Sequence, residues 1–157
     1  MKRIVLFSFI QLIAGLSISC KARNDVIQQF NNENNQAMKS NKINIKVGSK
    51  TFTATLLDNA TSKAFIAQFP LTINMIELNN NEKYAQLPKS IPTNASVPTR
   101  IEAGDLMMYG SSTLVLFYKG FSTSYSYTKI GKIDDISGLT TALGAGDVKV
   151  SFEVAND

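Results

Sequence analysis

The chain has 157 residues, with 16 Lys and Arg against 12 Asp and Glu, a formal charge of +4. So small an excess does not suit a dedicated binder of polyanions, and nucleic acid is not an expected partner. With no His, no Trp and one Cys, the sequence excludes Ser-His-Asp and Cys-His catalysis, an imidazole base and an intrachain disulfide. No metal and no cofactor are expected.

Met1-Lys2-Arg3 leads into residues 4–18, nearly all apolar or small. That run is too short for a membrane-spanning helix but has the size of the apolar part of a secretion signal. The stretch Leu16-Ser17-Ile18-Ser19-Cys20 resembles a bacterial lipoprotein cleavage box. The resemblance implies a signal peptide over 1–19 and a mature chain that begins at a lipidated Cys20. The product is then an exported protein of the cell envelope, bound to a membrane by its acyl chains, with inner membrane, outer membrane or surface left open. The alternative is an ordinary signal peptide with an incidental cysteine. Exported proteins normally use cysteines in pairs, and Cys20 has no second cysteine, which favours the anchor. Loss of 1–19 removes Lys2 and Arg3 and lowers the charge from +4 to +2.

In 21–41, nine of 21 residues are Asn or Gln. Such a stretch buries too little apolar surface to offset its ordering entropy, so 20–41 reads as the lipidated cysteine and a flexible tether. A single domain, expected to be a monomer, occupies 42–157.

Within that domain, Ile43, Ile45 and Val47 alternate with Asn44 and Lys46, and Phe52 alternates with threonines; Gly48-Ser49 between them completes a hairpin pattern. Asp58-Asn59 caps a helix over 60–69, with Ala64, Phe65 and Phe69 on one face and Pro70 as its stop. Residues 71–78 form a strand placing Leu71, Ile73, Met75 and Glu77 on one face, and Asn79-Asn80-Asn81 turns the chain. A short strand over 84–87 precedes an irregular segment, 89–100, punctuated by Pro92 and Pro98; loops of that length are often functional. Strands follow over 104–109 and 113–118. The run 120–135 begins as a loop and ends as a strand, with Asp134-Asp135 in a solvated turn. A short helix over 136–143 ends at Gly144, and 147–154 is the last strand. Many strands, two short helices and no βαβ repetition predict a mainly β fold, a closed β-barrel.

The order of elements, with Ile101-Glu102-Ala103-Gly104-Asp105-Leu106-Met107-Met108-Tyr109-Gly110 and the Ser/Tyr-rich run from Phe121 to Asp134, resembles the bacterial cyclophilin-like domain family over about residues 43–153. The resemblance implies a cyclophilin-like β-barrel closed at its ends by helices. Prolyl isomerases of the wider group use an arginine in the strand after the first helix, beside a hydrophobic groove and commonly a Trp and a His. Residues 71–78 contain no arginine; the one arginine in 42–157 is Arg100.

Six of the fourteen aromatic residues fall between Tyr109 and Tyr127. They serve either as core and barrel-mouth packing or as a binding site. On the second reading, Phe117, Phe121, Tyr125 and Tyr127 supply apolar contact while Ser122, Ser124 and Arg100 orient a polar group, with Arg100 the natural partner of a carboxylate. Ser122 or Ser124 with Lys119 or Lys129 also has the composition of a Ser-Lys dyad, without an accompanying motif. The expected function is binding of a peptide segment or small molecule, not catalysis. A peptidyl-prolyl isomerase of exported proteins and a structural subunit of an envelope complex are the alternatives.

Overall fold

A computed structural model describes residues 41–155; Cys20, the signal segment and all but the end of the tether lie outside them. Eight antiparallel strands close into one barrel: β1 (Lys42–Val47), β2 (Lys50–Leu56), β3 (Leu71–Leu78), β4 (Glu82–Gln86), β5 (Asp105–Tyr109), β6 (Thr113–Phe117), β7 (Thr128–Ile133) and β8 (Val148–Val154). Their spatial order is β1-β2-β7-β5-β6-β4-β3-β8. Two short helices are α1 (Ala60–Ile66) and α2 (Leu139–Leu143). The expected mainly β barrel with two helices is therefore the fold.

The hairpin of β1 and β2 turns between the paired Val47 and Lys50. Helix α1 starts where Asn59 accepts a hydrogen bond from the Ser62 amide at 2.8 Å, and it ends at Ile66, three residues before the expected end. The chain turns through 67–69 instead, because Pro70 lacks an amide hydrogen and disfavours helical backbone in the residue before it. Phe65 and Phe69 still share a face, their rings 4.8 Å apart, with Phe65 also on Phe152 at 5.5 Å. Helix α2 begins at Leu139, not Ile136, because the Asp135 carboxylate accepts from the Ser137 amide and Gly138 takes a φ of 79°. Asp134 is ion-paired to Lys42 at 2.7 Å and accepts from the Thr55 hydroxyl at 2.6 Å.

Strand pleating sorts the side chains into two cores. Ile43, Ile45, Leu106, Met108, Leu114, Leu116 and Phe152 fill the barrel interior. On the outside, Ile101, Met107, Val115, Phe117 and Tyr127 form a second cluster, with Tyr84 and Phe121 packed against it. Strands β5 and β6 are thus buried on both faces, which is why they read as unbroken apolar runs where β1 alternates. Gly131 marks the tightest strand approach: a Cβ there would lie 2.5 Å from the Thr55 carbonyl oxygen.

A lysine enters the barrel interior. Lys83 is fully buried and its Nζ donates to the Glu77 carboxylate and to the carbonyls of Gly144 and Gly146 at 2.9 and 2.6 Å. The Tyr118 hydroxyl reaches the same carboxylate at 2.9 Å. Burial alone would raise the Glu77 pKa; the hydrogen bonds from Lys83 and Tyr118 outweigh it and hold the group below the usual glutamate value. Replacing Lys83 with Met strands a carboxylate and two carbonyls, so the fold should lose about 3–5 kcal/mol in urea unfolding. A loss below about 1 kcal/mol would show that water replaces the ammonium without difficulty.

Candidate functional site: an aromatic cleft with a buried carboxyl

The outward side chains of three neighbouring strands build a continuous patch. Register pairs Tyr84 with Val115 and Gln86 with Thr113 between β4 and β6, and Tyr109 with Thr113 between β5 and β6. The chain after β6 then folds over this patch. Two backbone bridges hold it: Phe121 exchanges hydrogen bonds with Ile101 at 2.9 and 3.1 Å, and Tyr127 with Ser96 at 3.0 and 2.9 Å. Between loop and strands lies a cleft of about 630 Å³, within the usual size range of small-ligand sites.

Tyr84, Tyr109, Phe121, Tyr125 and Tyr127 line it. The Tyr109 ring stands 6.2 Å from Tyr125, edge to face, and 5.7 Å from Tyr127. Tyr109 and Tyr125 remain 48% and 62% exposed, a costly state for aromatic surface. Phe117 is fully buried beneath the lining, its ring 5.7 Å from Phe121 and 5.5 Å from Tyr127.

At the end near the β3–β4 turn the lining becomes polar. Asn79 and Asn80 take φ values of 55° and 57°, a backbone region that Asn tolerates better than most residues. The tight turn sets Asn81 and Glu82 side by side in the cleft wall. Glu82 is only 8% exposed, and no hydrogen bond or ion pair from a described residue reaches its carboxyl. The buried Asn81 Oδ1 is likewise without a hydrogen-bond partner among the described residues. Burial, followed by the nearby Glu77 charge, pushes the Glu82 pKa up to about 6. Tyr127 is pushed up to about 12, first by burial, then by Glu82, Tyr109 and Tyr125.

Of the residues singled out in the sequence, Phe121, Ser122, Ser124, Tyr125 and Tyr127 come together in this cleft. Phe117 supports it from below. Arg100 does not line it: the side chain is exposed and approaches Gly120, because the Ile101–Phe121 bridge holds this part of the chain beside the cleft. The charged group in the lining, among the described residues, is instead Glu82, which lies two residues before the strand start that the sequence pattern predicts at Tyr84. Extending the strand by two residues places Glu82, Tyr84 and Gln86 on one face. Lys129, weighed as a dyad partner, pairs with Asp105 at 2.7 Å, and Lys119 stands 5.8 Å over the Tyr118 ring.

The sequence matches the cyclophilin-like family over residues 45–153, and the chain belongs to that family. Among solved structures it resembles the solution structure of a hypothetical protein from Archaeoglobus fulgidus, at 17% identity over 74% of this chain and 95% of that one, with a TM-score of 0.49. No curated protein matches it.

The raised Glu82 pKa has a consequence for stability. The folded carboxyl titrates near 6 and its reference value is 4.5, so the native state holds the proton more tightly than the unfolded chain. The resulting stabilisation is fully present below about 4.5 and disappears as pH rises through 6. Glu82→Gln should therefore stabilise the fold at about pH 7.5 by on the order of 1 kcal/mol, read as a higher melting temperature, and leave it unchanged at about pH 4. A variant less stable at the higher pH would mean that the carboxylate has a favourable partner in the folded protein.

Proposed function

We propose that this protein is a lipid-anchored binding domain of the bacterial cell envelope, whose outer cleft takes an extended peptide segment or a small molecule without isomerising proline. The observation that carries the reading is a cleft of about 630 Å³ walled by five aromatic side chains, two of which stay largely exposed. Among the described residues its lining contains no arginine, the residue on which the isomerases of the wider group depend. Tyrosines supply apolar area with few rotatable bonds and a polar tip, a combination suited to binding.

N-acetyl-tyrosine amide is a suitable neutral probe. Its titration should shift the backbone amide resonances of Tyr84, Tyr109 and 122–125, and Tyr109→Ala with Tyr125→Ala should weaken binding about tenfold or more while the melting temperature changes little. Proline exchange in an Ala-Pro peptide should stay at its buffer rate in micromolar protein. Shifts confined to another face would remove the cleft as the site; accelerated exchange would make the domain an isomerase.

The anchor rests on the resemblance of 16–20 to a cleavage box. Labelled palmitate should enter the wild-type protein in cells and fail to enter Cys20→Ser; equal labelling of the two proteins would refute the anchor.

A further inference from the structure

The Glu82 side chain lies in the cleft wall, and no hydrogen bond or ion pair from a described residue reaches its carboxyl. A carboxylate held half-buried without a protein partner is stabilised by whatever hydrogen-bond donor a ligand brings to it. What the occupant must supply is therefore N–H donors, and the charge of the lining says which kind.

Among the described residues, Glu82 is the charged side chain of that lining, and no basic side chain lines the cleft with it. Lys83, its chain neighbour, points to the opposite face and is held by Glu77 and two carbonyls. Lys129 is paired with Asp105, Lys119 stands over Tyr118, and Arg100 lies beside Gly120. The titratable groups around the carboxyl are Glu77 on β3, Tyr118 just after β6 and Tyr127 just before β7. None is a cation, and Glu77 adds negative potential. An anionic ligand would meet repulsion without compensation, whereas a cation meets a carboxylate in a partly desolvated site, where charge pairing is strongest. The tyrosines complete the argument, since their ring faces attract ammonium and guanidinium groups.

Resting on the reading of the cleft as a binding site, we infer that its occupant carries a cationic N–H group, an ammonium or a guanidinium, seated against Glu82 with its adjoining body on the tyrosine rings. A free amine or guanidine and a basic side chain on a peptide share this chemistry. Recognition weakens as Glu82 takes up a proton, so affinity falls as pH drops through about 6.

The test is a set of NMR titrations of the full chain at about pH 7.5 with three probes: acetyl-Ala-Arg-Ala amide, the same peptide with citrulline as a neutral isostere of arginine, and agmatine. The arginine peptide and agmatine should shift the amides of Asn81, Glu82 and Tyr84 and bind about tenfold or more tighter than the citrulline peptide. Glu82→Gln should bring the arginine and citrulline peptides to within about twofold, and so should titration of the wild type at about pH 5. Tighter binding of the arginine peptide than of agmatine would say that the cation arrives on a chain; comparable affinities would say that it arrives free. Equal affinity for arginine and citrulline, or a preference that survives Glu82→Gln, overturns the inference. If N-acetyl-tyrosine amide still perturbs the cleft in that case, the cleft reading stands and only the cation is wrong. If none of the four probes perturbs it, both fall.

Discussion

Burial of one sheet panel on both of its faces is the constraint on which the rest of this structure depends. Closing eight strands into a barrel hides one face of every strand, and the pleat sends alternate residues outward. On β1 and β2 those outward residues are Asn, Lys and Thr, which water satisfies. On β5 and β6 they include Met107, Val115 and Phe117, which cannot be left in water without cost, and the chain after β6 is bound across them by the Ile101–Phe121 and Ser96–Tyr127 bridges. The outer core thus anchors the loop, and the loop in turn makes the cleft. A single apolar cluster outside the barrel accounts for the long irregular segment 89–100, the polar-aromatic run 120–127 and the cavity between them.

The same alternation separates two adjacent charges. Glu82 and Lys83 are neighbours in sequence on β4, so they project to opposite sides of the sheet. Lys83 enters the barrel, where Glu77, two carbonyls and the Tyr118 ring surround it. Glu82 faces the cleft, where nothing in the described residues meets it, and its ionisation is opposed both by burial and by the Glu77 that stabilises Lys83. One ion pair thereby organises the barrel end and shapes the electrostatics of the outer site. A neutral residue at position 83 would leave Glu77 unpaired, and Glu82 would then face a more strongly repelling neighbour.

Much of the fold was legible in the residues. The hairpin at Gly48-Ser49, the face shared by Leu71, Ile73 and Met75, the turn at 79–81 and the last strand all follow from local chemistry, either the alternation of apolar and polar residues or the turn preference of Gly and Asn. The helix ends were less legible: Pro70 marks a stop but acts on the residues before it, and Asp135 diverts three residues into a turn by a hydrogen bond that propensity does not reveal. In the site, the aromatic run was legible by composition, so five of the seven candidate ligand-binding residues line the cleft. Arg100 was attractive as the domain's one arginine, but which way its side chain leaves the backbone depends on the pairing of Ile101 with Phe121, residues twenty apart in sequence. Glu82 was missed for the complementary reason: its importance comes from having no partner, and an absent contact leaves no mark in a local pattern.

By itself, then, the sequence determined the mainly β barrel, the order of its elements, the family resemblance and the aromatic run that lines the cleft. These rest on period-two patterning, turn residues and composition, all short-range. Only the tertiary structure decided which side of the sheet each charge occupies relative to the others, that Lys83 is paired and Glu82 is not, and that the cleft's charged group is a carboxyl where an arginine had been expected. Pairing across a barrel joins residues far apart in the chain, and a group's electrostatic environment is a property of that assembled neighbourhood.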